Sequence, residues 1–297
     1  MKILNYSLLR LLERNGATRR LAGKIIPRYF FESMMGSNYD PSRQWNGKNA
    51  LVSLSFDVDF SEDILVLPEL VDILSSYPIK ANFACVGKGI LQYPREHAAL
   101  VDEGHEILNH TYSHPNSDEW NPNEKFNSLD IHQQRYEIEK CDEVCRQTLG
   151  YRPRGFRIPP HFGNLYTDAI YPILTELEYK YSSSISAARS PSFGLPYVCG
   201  DITEFPVSPC PRHPFGVFDT WHSLKRGGVG SHCRDGEFFE LFKELTQTGL
   251  KYHSFINTYF DPQDVVHLRD FVMILDYLDE MKNEIAIMRY DDVIISG

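Results

Sequence analysis

Short apolar runs alternate along the chain with longer stretches of helical periodicity. Strand-like runs fall at 51–57, 81–86, 105–109, 154–158, 180–185, 202–207, 252–259 and 285–290. Between them, 64–76, 90–103, 130–149, 166–178, 236–249 and 264–282 read as helices. Such alternation predicts parallel strands joined by crossover helices. Seven or eight units point to a closed or nearly closed α/β barrel, for which roughly 250 residues suffice. The 297 residues therefore accommodate one large domain and an appendage. Turn formers crowd the stretch 36–48 (GSNYDPSRQWNGK), which separates an N-terminal helical arm, residues 1–45, from a barrel domain, residues 46–297.

The arm has a pattern of its own. Leu4, Leu8, Leu11 and Leu12 recur at helical spacing, Asn15-Gly16 reads as a C-cap and Thr18 as the cap of a second helix. Pro27 is expected to kink or end that helix. Lys2, Arg10, Arg14, Arg19, Arg20, Lys24 and Arg28 interleave with these apolar residues, opposite in sign to a chain whose net charge is −10. Two readings follow. Residues 1–32 form a basic amphipathic surface for an anionic membrane, or the arm packs its leucines on the barrel or on another subunit. The oligomeric state stays open.

Net acidity argues against a nucleic-acid partner, because phosphate binding needs a positive surface that releases counterions. No stretch approaches the ~18 to 20 apolar residues of a membrane span, and the N-terminus lacks the pattern of a secretory signal. The six cysteines, Cys85, Cys141, Cys145, Cys199, Cys210 and Cys233, make no CxxC pair and no dense framework, which indicates free thiols in a reducing compartment. Cys141 and Cys145, one helical turn apart, read as packing residues. A cytoplasmic location is expected, with the arm allowing attachment at the inner membrane face.

Chemistry gathers where the strands are expected to end. Asp57 and Asp59 close the apolar run of LVSLSFDVDF, and His110 and His114 stand in GHEILNHTYSH. Two imidazoles four residues apart can turn to one side of a helical turn or tight loop. With one of the carboxylates they supply the three protein ligands of an open site whose fourth position is left for water. One divalent ion is implied, Zn²⁺ first, with Co²⁺ or another transition ion as alternatives. Arg157 falls near the end of the fourth predicted strand and His253 in the seventh, and barrels place their chemistry at strand ends.

In this order SFDVD, GHEILNHTYSH, GFRIPP, KYSSSI with ITEFPVSP, and KYHSFINTYFDP resemble the motifs of the polysaccharide deacetylase family, over roughly residues 50–292. The resemblance implies a distorted (β/α) barrel of seven to eight units. It implies Asp57 as catalytic base and Asp59, His110 and His114 as ligands of a divalent metal. Many members have adjacent aspartates; here Val58 intervenes, as in the DxD-type branches, and an extended chain still turns both carboxylates to one side. Arg157 would hold Asp57 through charge-assisted hydrogen bonds, and His253 would protonate the departing amine. Asp201 or Glu204 are the carboxylates that would orient His253. Trp221 and His222, in FDTWHS, read either as the lining of a sugar cleft or as core.

A second departure falls in GFRIPP. Many relatives carry there an aromatic residue whose backbone N–H helps hold the oxyanion, whereas Pro160 has no N–H. The metal, or a shifted donor such as the backbone of His161, would then carry that charge. The activity implied is metal-dependent N-deacetylation of an N-acylated amino sugar in a cell-surface polysaccharide or lipid-linked glycan precursor. The competing readings are a deformylase or cyclic-amide hydrolase of the same fold, a glycosyltransferase using the DVD motif, and a degenerate member that binds without turnover.

Overall fold

A computed structural model describes residues 25–159, 169–224 and 234–296. Its spine is the buried apolar run that the sequence opens with, in two pieces separated by Leu54: β1 (Ala50–Ser53) and β2 (Ser55–Val58). The third to tenth strands are β3 (Asn82–Cys85), β4 (Glu106–Asn109), β5 (Gly155–Phe156), β6 (Tyr181–Ser182), β7 (Tyr197–Cys199), β8 (Ile202–Glu204), β9 (Phe255–Asn257) and β10 (Ile285–Ile287). Parallel pairing runs from β2 through β3, β4, β5 and β6 to β8. The ring closes where Ser208 N–H donates to the Asn257 carbonyl at 2.7 Å and where Phe56 bridges Phe260. At the opposite end β1 lies between β9 and β10, parallel to both. The first strand thus exchanges β10 for β3 as a neighbour along its length, and this exchange distorts the (β/α) barrel.

Each expected strand is present, shortened where the ladder ends. β7 was not foreseen, because it is a half-exposed strand antiparallel to β8 with no apolar run to mark it. Helices foreseen as continuous are interrupted by prolines. The stretch 90–103 becomes Gly87–Gln92 and Pro94–Asp102, since Pro94 has no N–H to continue the ladder. Helix Ile131–Leu149 is intact. Asp130 accepts the N–H groups of His132 and Gln133 at its start, and Gly150, at φ 63°, ends it in the left-handed conformation. Between strands and helices lies an aromatic core in which Phe56 stacks on Phe83 and Phe218 on Phe238, each pair at 4.9 Å.

Pro27 opens a helix, Pro27–Gly36, because its fixed φ and missing N–H suit the first turn; the helix it was expected to kink or end falls in the span 1–24, outside the described residues. That helix buries Phe31 and Met35 in the main core, and Phe30 and Met34 against Ala188 and Phe193. Within the span 1–32, Phe30 and Phe31 therefore pack on the barrel. The leucines, Asn15-Gly16 and Thr18 lie outside the described residues. No described helix is long and apolar enough to cross a membrane. Cys85, Cys141, Cys145, Cys199 and Cys210 are free thiols, and Cys141 and Cys145 are buried packing residues as expected.

Gly155 shows how tightly β5 is set. A Cβ at this position would lie within the ring of Tyr181, whose hydroxyl donates to buried Glu106. Gly155→Ala is expected to lower the unfolding free energy by about 1–3 kcal/mol, the usual cost of overpacking. Urea unfolding followed by far-UV circular dichroism checks this, and an unchanged midpoint contradicts it.

Candidate active site

The DVD segment carries the first strand out of the barrel wall. Asp57 is buried near the end of β2, and its backbone N–H donates to the Phe260 carbonyl at 3.0 Å. Asp59 lies just beyond. Its N–H and that of Phe60 both donate to the Asp63 carboxylate, at 3.2 and 3.1 Å, and Trp120 Nε1–H donates to the Asp59 carbonyl at 2.6 Å. Burial, reinforced by the charge of Asp59, pushes the Asp63 carboxyl up to about 8. The loop that presents Asp59 is therefore fixed through its backbone, which leaves the side chain available.

Past β4, the NHTYSH segment makes a tight turn. Asn109 accepts from Thr111 N–H at 2.9 Å and donates to the Ile138 carbonyl at 2.8 Å, tying the turn to helix Ile131–Leu149. Glu137 of the same helix accepts from Ser113 N–H and Oγ–H, each at 2.8 Å. These bonds hold Thr111 and His114 at φ 65° and 47°, a left-handed backbone that non-glycine residues adopt only under such restraint. The turn brings both imidazoles to one point. His110 Nε2 stands 3.1 Å and His114 Nε2 3.4 Å from Asp59 Oδ1.

Asp59, His110 and His114 place their donor atoms within 4.8 Å of one another. His110 Nδ1 contacts the Arg157 carbonyl at 2.8 Å; a carbonyl only accepts, so Nδ1 carries the proton and Nε2 keeps its lone pair in the neutral ring. Asp59 Oδ1, His110 Nε2 and His114 Nε2 are buried with no aligned hydrogen-bond partner. Three converging buried acceptors are costly unless a cation lies among them, so the residues fit a divalent ion. Burial opposes the charge on Asp59, yet the two imidazoles hold its carboxyl well below the usual carboxylate range.

Arg157, immediately after β5, is fully buried. Its Nη1 donates to Asp57 Oδ1 at 2.5 Å, Nε to the Ser183 carbonyl at 3.0 Å, and Nη2 to Ser183 Oγ and the Tyr290 hydroxyl at 2.8 and 2.9 Å. Tyr290 in turn donates to Asn257 Oδ1 at 2.6 Å, and the Tyr259 ring lies 5.8 Å from the guanidinium carbon. The expected pairing of Arg157 with Asp57 is present in this geometry. Ser183, Asn257, Tyr259 and Tyr290 escaped the sequence reading, although the i, i+2 spacing of Asn257 and Tyr259 in INTYFDP marks one face of an extended segment.

His253 is not brought to this site. It caps helix Glu237–Tyr252 in the left-handed conformation, two residues before β9 begins. Its Nδ1 contacts the Arg43 carbonyl at 2.8 Å and its own carbonyl accepts from Trp45 Nε1–H at 3.0 Å. Leu51 N–H, at the start of the first strand, donates to the neighbouring Ser254 carbonyl, so His253 lies at the end of the barrel opposite the aspartates. Glu204 does not orient it: it accepts from the N–H groups of Ser184 and Ile185, at 2.6 and 3.1 Å. Asp201 is exposed in the turn between β7 and β8. Pro160 and His161 lie outside the described residues. Trp221, at 48% exposure, is not a core residue, and His222 Nδ1 meets buried Asp219 Oδ2 at 2.5 Å.

Residues 46–182 match the family model for polysaccharide deacetylase. A peptidoglycan-N-acetylglucosamine deacetylase of Bacillus cereus is 34% identical over 110 residues, which are 37% of this chain and 36% of that protein. The chain thus spans about a third of that relative's length. Among solved structures, a Mycobacterium smegmatis protein assigned as a polysaccharide deacetylase superposes with a TM-score of 0.69 at 18% identity, covering 87% of this chain and 94% of that one. PuuE allantoinase superposes with a TM-score of 0.68 at 13% identity, covering 86% and 93%. These two likenesses establish the distorted barrel fold. Asp57, Asp59, His110, His114 and Arg157 all lie inside the span that matches the polysaccharide deacetylase family.

Proposed function

We propose that this chain removes the acetyl group from an N-acetylated amino sugar of a cell-surface polysaccharide or lipid-linked glycan precursor, using a divalent metal held by Asp59, His110 and His114. The observation that carries the reading is the convergence of three buried, unsatisfied donor atoms beside a carboxylate pinned by a buried arginine. The sugar class rests on the family match and on the Bacillus cereus relative. Free thiols favour a reducing, cytoplasmic compartment and so a precursor over a finished extracellular polymer.

An ion at this site would polarise the acyl oxygen and lower the pKa of a bound water toward ~7. Asp57 then accepts the proton of the attacking water. The Arg157 guanidinium fixes the orientation of Asp57 through Oδ1, so the base is aimed before substrate arrives. His110 is held in one tautomer by the Arg157 carbonyl, which keeps Nε2 directed at Asp59. Cyclic-amide hydrolysis is the competing reading, because an allantoinase shares the fold.

Purified protein is expected to bind about one divalent ion per chain and to release acetate from N-acetylated chitooligosaccharides. Removal of the ion should abolish release and Zn²⁺ or Co²⁺ restore it. Metal analysis with an acetate assay checks this; turnover unchanged after verified metal removal contradicts it, and hydrolysis of a cyclic amide without acetate release favours the competitor.

The two aspartates should separate by phenotype. Asp57→Asn is expected to keep the ion yet lose ~10² to 10⁴ in turnover, the scale of general-base removal. Asp59→Asn should instead lose metal affinity. Metal content measured beside kinetics decides the matter, and the reverse pattern exchanges the two roles.

A further inference from the structure

Amide hydrolysis needs a proton at the departing nitrogen, because an amide anion is too basic to leave. With His253 at the opposite end of the barrel, that donor must come from elsewhere. The FDTWHS segment supplies a histidine at the correct end. Asp219 bridges Tyr259 as a parallel partner, and the Tyr259 side chain, hydrogen-bonded to Asp219, carries its ring to within 5.8 Å of the Arg157 guanidinium carbon. Thr220 Oγ–H donates to Asp261 Oδ2 at 2.7 Å, and Thr220 Oγ accepts from Asp261 N–H at 2.9 Å. Residues 259–261 are the same segment whose Phe260 carbonyl accepts the Asp57 N–H. The short helix Thr220–Ser223 is therefore locked beside the base's strand at the mouth of the barrel.

Within that lock the imidazole is both oriented and accessible. Fully buried Asp219 accepts from His222 backbone N–H through Oδ1 at 2.5 Å and faces His222 Nδ1 with Oδ2 at 2.5 Å. A carboxylate on Nδ1 fixes the ring and stabilises its protonated form. The His222 side chain is 46% exposed while its partner is wholly enclosed, so the imidazole is reachable from solvent and its carboxylate is not. Burial works against the charge on His222, and the bond and charge of Asp219 overcome it, raising the imidazole above its ordinary value.

We propose that His222, oriented by Asp219, is the general acid of this chain. The inference rests on the deacetylase reading above. In the step assigned to it, the C–N bond of the tetrahedral intermediate breaks, its electron pair goes to nitrogen, and the His222 imidazolium gives that nitrogen its proton. Acetic acid and the free amine leave. His222 becomes neutral, and the proton Asp57 took from water returns to it through solvent. Asp219 is a positioning residue.

The test compares metal-loaded wild type with His222→Gln, Asp219→Asn and His253→Gln on an N-acetylated chitooligosaccharide and on 4-nitrophenyl acetate, whose leaving group needs no proton. His222→Gln should slow acetate release from the sugar by ~100-fold or more, leave the aryl ester within about threefold of wild type, and keep its metal. His253→Gln should leave both rates near wild type. Among the described residues, Tyr259 and Cys210 are titratable groups beside Asp219, and Asp261 is bound to the neighbouring Thr220. Because Asp219 raises the His222 pKa, Asp219→Asn should move the alkaline limb of the pH–rate profile to lower pH. Near-wild-type sugar turnover in His222→Gln, equal slowing of both substrates, or an alkaline limb that Asp219→Asn leaves in place overturns the dyad and spares the deacetylase reading. Wild-type protein that hydrolyses the aryl ester but no N-acetyl sugar overturns that reading, and the dyad with it.

Discussion

A guanidinium with no access to water has to be matched on every side, and at Arg157 this requirement organises the site. Asp57 neutralises it, and Ser183 and Tyr290 accept three further N–H groups. Removing one partner of such a buried pair typically costs about 3–5 kcal/mol, because the charge left behind stays desolvated. The constraint runs further than one ion pair. The backbone carbonyl of the same residue sets the His110 tautomer, so Asp57 and His110 are positioned by one residue, through its side chain and its peptide. Tyr290 and Asn257 extend the network to the C-terminal helix Tyr290–Ser296 and to β9.

The turn that carries His110 and His114 depends on a different part of the fold. Thr111 and His114 occupy left-handed backbone, and the bonds that keep them there come from Asn109 at the end of β4 and Glu137 on helix Ile131–Leu149. That helix is capped at both ends, by Asp130 and Gly150. A well-formed crossover helix thus holds a strained turn, and the turn converges two imidazoles on a carboxylate from the first strand. Three elements distant in sequence meet because parallel strands deliver their C-terminal ends to one face.

Much of this was legible in the chain. Buried parallel strands are continuous apolar runs, so each parallel strand left a signal, and DVD and NHTYSH stood at the ends of two of them. Arg157 was legible for the same reason. His253 was not, because YHSFINTY reads as one β-prone run while helix Glu237–Tyr252 extends to Tyr252 and the strand starts only at Phe255. A left-handed histidine cap has no signature in apolar periodicity. Asp219 and His222 were visible as letters, but a helix of one turn following an isolated bridge has no periodic pattern, and only the pairing of residue 219 with Tyr259 reveals which end of the barrel it occupies. The helix that Pro27 opens was not foreseen, because proline stereochemistry suits either boundary of a helix and only the burial of Phe31 and Met35 shows that one starts here.

The division of labour between the two aspartates is tested most directly by a crystal structure of the Zn²⁺-loaded protein. The predicted result is one ion bound by an oxygen of Asp59 and by Nε2 of His110 and of His114, with Asp57 uncoordinated and still paired to Arg157. An ion bound by Asp57, or by Nδ1 of His110 with the Arg157 carbonyl bond broken, would contradict it.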